Sequence, residues 1–178
     1  MACAFALGWM LHGQWAGTQG ADLAQSATHT RFVHAAGFAH AVYLPEKRHP
    51  VEVGAAEQEH LVQWLSKRLG RALRVPNLST EGFALVGGRL LPGEGSARAQ
   101  FMFEDSQGQR LTLYLGGLTE EGQHPALAQT RFQFESHQGT QSFYWFDQGF
   151  GYALSAQMGR EQLLALATRV YQQLEAPP

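Results

Sequence analysis

A single cysteine, Cys3, is the only thiol in this 178-residue sequence. One thiol allows no internal disulfide and no thiolate metal cluster. Charge is also scarce. Thirteen Lys and Arg face fifteen Asp and Glu, charged residues make up 16% of the chain, and the net charge is -2. A protein that holds nucleic acid by neutralising phosphates carries a basic excess, so no nucleic-acid partner is expected. No Lys or Arg precedes Arg31, which removes the positive n-region of a secretory signal. Internal repeats and low-complexity tracts are absent, which excludes solenoid and fibrous architectures.

What is present is hydrophobicity, 44% of the residues, enough for one ordinary domain with its own core. The chain opens with MACAFALGWMLHGQWAG, uncharged throughout. This run falls short of the roughly 20 apolar residues that span a bilayer, and it shows no polar face before His12. It reads as the C-terminal half of a transmembrane helix, residues 1–16. Phe5, Leu7, Trp9, Leu11 and Trp15 would be embedded, the tryptophans near the interface. A second reading is an apolar helix packed into the domain.

Residues 17–24, GTQGADLA, read as a linker. His29, Phe32, Ala36, Ala39 and Tyr43 then step by three and four as a helical stripe, which Pro45 ends. HPVEV (residues 49–53) is expected to be extended. A second helix runs from Ala55 to Leu69, with Leu61, Trp64, Leu65 and Arg68/Leu69 facing inward. Glu57 and Glu59 in its first turn and Lys67 and Arg68 in its last suit the helix dipole, and Gly70 is placed as the C-cap.

The pattern then switches to strands. Residues 82–91 form one, ended by Pro92-Gly93. Residues 97–115 alternate as a hairpin bent at Gln107-Gly108, and 130–147 form a second hairpin about His137–Thr140. GYALSA (151–156) is a last strand, and 160–174 is a helix with Leu163, Leu166, Ala167, Val170 and Leu174 on one stripe. Residues 175–178 are a tail. Helices and strands in separate runs predict an α+β fold. The expectation is an antiparallel sheet of about five strands with two N-terminal helices and one C-terminal helix packed on one face. Residues 25–174 form that domain.

Catalytic signatures are missing. GYALSAQ lacks the G-x-S-x-G elbow, and the glycine-rich LVGGRLLPGEG lacks the G-K-[ST] of a phosphate loop. Glu104 and Asp105 are neighbours on a strand and point to opposite faces. Among the eight histidines, His29, His34 and His40 lie at spacings of five and six. His29 and His40 share a helix face but stand about 16 Å apart along the axis. No catalytic, cofactor or metal residue is therefore assigned, and no cofactor is expected. In SFYWF, Phe143 and Trp145 face one side of a strand, Tyr144 and Phe146 the other. Either the strand is covered twice, or Tyr144 and Phe146 form a candidate partner surface.

Five stretches together resemble the extracytoplasmic part of bacterial transmembrane anti-sigma factors of the extracytoplasmic-function type. They are HPVEV (His49–Val53), WLSKRLG (Trp64–Gly70), PNLSTEGF (Pro76–Phe83), LVGGRLLP (Leu85–Pro92) and FYWFDQGFGYALS (residues 143–155). The likeness covers residues 25–174. It implies a non-enzymatic, single-pass protein of the bacterial inner membrane, its C-terminal domain a periplasmic sensor. It further implies a sigma factor as partner, bound by a cytoplasmic segment that lies outside this chain, and a periplasmic signal protein or protease as candidate partners. The alternative is a membrane-tethered periplasmic ligand- or metal-binding protein.

Overall fold

The structure, a computed structural model, describes residues 26–118, 132–147 and 149–175. The expected membrane-embedded residues Phe5, Leu7, Trp9, Leu11 and Trp15, and the linker 17–24, lie outside them. Among the described residues no helix is long and apolar enough to cross a membrane.

Strict alternation makes the strands and 3.6-residue periodicity makes the helices. In chain order they are α1 (residues 26–43), β1 (Val53–Gly54), α2 (Gln58–Leu69), β2 (Phe83–Leu91), β3 (Arg98–Asp105), β4 (Arg110–Gly117), β5 (Gln133–His137), β6 (Thr140–Asp147), β7 (Phe150–Ala156) and α3 (Arg160–Glu175). The strands form one antiparallel sheet in the order β1-β2-β3-β4-β7-β6-β5. The α+β expectation holds, but the strands among the described residues number seven, not about five. The end of the extended HPVEV stretch, Val53, pairs with Gly54 beside it to Gly88 and Gly87 as β1, a strand too short for alternation to mark as part of the sheet. Periodicity also identifies runs without saying which of them share a sheet.

Local chemistry closes the turns. Asp105 Oδ1 accepts hydrogen bonds from the backbone N–H of Gln107 and of Gln109, each at 2.8 Å, while Gly108 takes φ +80°. The second hairpin turns on Gln138 (φ +48°) and Gly139 (φ +82°), the double positive φ of a type I′ bend. Gly70 ends α2 in the left-handed conformation, as its placement predicts.

Helices cover both faces of the sheet, not one. Ala99, Phe101, Phe103, Leu111, Leu113, Leu115, Phe143, Trp145 and Leu154 point to the side of α2 and α3 and form an apolar core with Leu61, Leu65, Leu163, Leu166 and Val170. Trp64 lies at the rim of that core, only partly buried. The intervening residues point the other way and are covered by α1. The cause lies in β6, which is apolar on both sides. Trp145 is 1% exposed beneath α3 and Phe146 is 0% exposed beneath α1.

Candidate functional site beneath the first helix

The face under α1 differs in chemistry from its opposite. Register places Thr112, Ser155 and Ser142 side by side on β4, β7 and β6, and the two serine hydroxyls meet at 2.8 Å. Gln100 and Met102 extend the face onto β3. His40 descends from α1 into this polar band, fully buried, its Nδ1 2.9 Å from Thr112 Oγ1. Among the described residues its Nε2 has no hydrogen-bond partner, nor does either amide atom of Gln100, which is 1% exposed. A buried imidazole with one bare nitrogen is best kept neutral, protonated on Nδ1 and donating to Thr112. Burial accordingly lowers the His40 pKa from 6.5 to about 4.

Next to the polar band lies a trough cut by glycines. Gly116 on β4 pairs with Gly151 on β7, and Gly151 with Phe146 on β6. A Cβ on Gly151 would come within 2.8 Å of the Phe32 ring, and one on Gly116 within 2.5 Å of Arg98 Cδ. The missing side chains make the space that seats Phe32 of α1, edge-on to Tyr114 and Phe146, with ring centroids 5.2 and 5.7 Å away. His29, one turn earlier on α1, stacks on Phe146 at 3.7 Å.

The C-terminal end of α1 is tied more firmly. Arg110 donates from Nη1 to the carbonyl oxygens of Tyr43 (3.2 Å), Leu44 (2.8 Å) and Glu46 (2.6 Å), and its Nε bonds Glu104 at 2.7 Å. A cation at the last carbonyls also complements the helix dipole. The Arg89 guanidinium sits 3.4 Å from the centroid of the Tyr43 ring and donates to the His49 carbonyl at 3.0 Å. These contacts make the chain after residue 43 a fixed anchor for α1.

A cleft of about 80 Å³ opens between the first half of α1 and the β2–β3 connection, lined by Thr28, Arg31, Phe32, Ala35, Gly93, Glu94, Arg98, Tyr114 and Leu118. Arg98 forms one wall, only 5% exposed. It donates from Nη1 to Ser96 Oγ and to the Ala97 carbonyl, and it interacts with the Tyr114 hydroxyl. No carboxylate among the described residues forms an ion pair with it. Glu94 at the rim pairs instead with Arg31, at 3.2 Å.

The expected stripe His29, Phe32, Ala36, Ala39 and Tyr43 is the inward face of α1, with His40 added to it. Phe146, a candidate partner residue, is instead covered by this same chain. Tyr144 beside it is half-buried and donates to Gln133 Oε1 at 2.7 Å. His34 reaches the sheet edge, 2.9 Å from Glu135. Among the described residues no three His, Cys, Asp or Glu side chains gather as a metal site. Arg98, Tyr114, Gly116 and Gly151 carry no sequence signature. The one available hint is the alignment of the Gly116-Gly117 pair with Gly151 on a neighbouring strand, which requires the register to be known. The chain matches no family model, no curated protein and no solved structure.

Proposed function

We propose that this chain is the periplasmic sensory part of a membrane-bound anti-sigma factor that controls an extracytoplasmic-function sigma factor. The domain itself performs no catalysis. Its partner, the sigma factor, is engaged through a cytoplasmic segment outside this chain, and the protein resides in the inner membrane with this domain in the periplasm. The observation that carries the reading is the seating of α1. The helix that follows the apolar opening stretch is laid on a polar, glycine-cut sheet face, anchored at its far end by Arg110 and Arg89. A helix held this way couples the state of the domain to whatever precedes it in the chain. The motif string from His49 to Phe83 supports the same reading.

The test is a sigma-dependent reporter in cells carrying the full-length gene product and the sigma factor encoded beside it. Gly151→Trp, which fills the seat of Phe32, should change reporter output several-fold while the protein stays membrane-associated. Indifference of the reporter to this variant and to deletion of residues 44–178 would overturn the proposal, as would the absence of a neighbouring sigma-factor gene. A second reading, a membrane-tethered periplasmic ligand-binding protein, is favoured by the cleft beside Arg98.

A further inference from the structure

We infer that the cleft between α1 and the sheet is a binding site for a small oxyanion, a carboxylate or a phosphoryl group, received by Arg98, Tyr114 and Arg31. Three observations carry this. First, Arg98 is a buried cation with no ion pair to any described carboxylate, Glu94 at the rim acting on it only from a distance, and a buried charge gains from a counter-ion in contact with it. Second, the cavity against it, about 80 Å³, has room for roughly two or three waters at about 30 Å³ each, the space that a carboxylate or phosphate head fills. Third, the lining combines donors suited to an oxyanion: a guanidinium, whose planar fork matches carboxylate and phosphate, and a phenol, with a second guanidinium, Arg31, at the rim. The ionised lining groups are Arg31, Arg98 and Glu94, an excess of one positive charge.

Glu94 already shows what chemistry the rim accepts. Its carboxylate, 71% exposed, bonds Arg31 and acts on Arg98 only through space, without an ion-pair contact. An incoming oxyanion would take over Arg31 and bridge it to Arg98, releasing Glu94 to water. Because the cleft is walled on one side by Thr28, Arg31, Phe32 and Ala35 of α1 and on the other by the sheet and the β2–β3 connection, an anion seated there ties the two together. Occupancy thus holds the first half of α1 down. That regulatory consequence rests on the anti-sigma reading, whereas binding itself does not, and the experiment below involves no sigma factor.

The experiment is thermal denaturation and calorimetric titration of the full chain with sodium phosphate and with sodium acetate, against sodium chloride at matched ionic strength. A parallel arm uses phosphatidylglycerol and phosphatidylcholine vesicles. A saturable rise in melting temperature with phosphate or acetate assigns a free anion. Saturable binding to phosphatidylglycerol vesicles alone, lost in Arg98→Lys, assigns a lipid headgroup phosphate. Arg98→Lys and Tyr114→Phe should each weaken binding about tenfold or more, as expected for lost charge-assisted hydrogen bonds. Glu94→Gln should tighten it about two- to fivefold by removing an exposed competing carboxylate. Tyr114→Phe and Glu94→Gln keep the packing, so the test survives if Arg98→Lys fails to fold. Absence of saturable binding to every probe would overturn the inference, as would binding that these variants leave unchanged.

Discussion

The two faces of the sheet are built by the same strands and obey different rules. Toward α2 and α3, an apolar core runs continuously from Leu61 to Val170, with Gln141 and Asp147 of β6 at its ends. Toward α1, the centre of the face is Thr112, Ser155, Ser142 and Gln100, most large groups are rings, and two histidines and three arginines are buried or half-buried against them. Apolar burial stabilises without direction, at about 25 cal/mol per Å². A polar band stabilises only when its partners are in place, and an orphaned group costs about 1–3 kcal/mol. The first face therefore fixes the fold, while the second holds one helix by contacts that pH, a ligand or a single methyl group can undo.

Substitutions on opposite faces should separate these roles. Trp145→Ala removes a fully buried ring that stacks on Tyr152 at 5.2 Å, and should cost about 3–5 kcal/mol of global stability. Denaturant titration should register the loss in sheet and helix signals together.

Acid should act on the other face. The folded state holds His40 neutral, with its pKa lowered to about 4 from 6.5. The unfolded chain thus binds more protons between those values, and stability falls as pH falls. The contribution is complete above pH 6.5, declines through the window down to about 4, and is flat below it. Its size is about 3 kcal/mol at 1.36 kcal/mol per unit. His29, whose pKa burial also lowers, adds in the same direction. His40→Gln should flatten this part of the pH profile measured by thermal denaturation.

Gly151→Ala is smaller still. Its methyl group meets Phe32 at 2.8 Å, and overpacking of this kind costs about 1–3 kcal/mol. If the trough is the seat of Phe32, pairing the change with Phe32→Ala should recover most of that cost. Additive losses in the double-mutant cycle would place the strain elsewhere. Thr112→Val comes last, at about 1 kcal/mol for one hydrogen bond to His40, read as a lowered melting temperature at neutral pH and little change at pH 4.

The sequence made the apolar face easy to read and the polar face hard. Leu111, Leu113 and Leu115 alternate cleanly, and Leu163, Leu166 and Val170 repeat at helical spacing, so both elements follow from periodicity alone. Phe143 and Phe146 were just as visible, but an apolar group on both sides of a strand is compatible with a partner and with a second helix. Only the fold decides, and it covers Phe146 with α1. His40 is legible only as sharing a helix face with His29, because its partner, Thr112, is 72 residues away on a strand. Arg98 gave no signal because an arginine at the start of a strand is usually solvated. What buries it is Gly116, eighteen residues on, and such long-range complementarity leaves no local pattern.

Native-state hydrogen exchange across pH 7 to 4.5, corrected for intrinsic rates, tests most directly whether α1 is a separately held layer. The account predicts that amides of residues 30–43 exchange through an opening of lower free energy than those of β4 and β7, and that this opening becomes easier as pH falls below 6.5. If α1 and the central strands share one opening free energy at every pH, the helix is an integral part of the core and the distinction between the two faces fails.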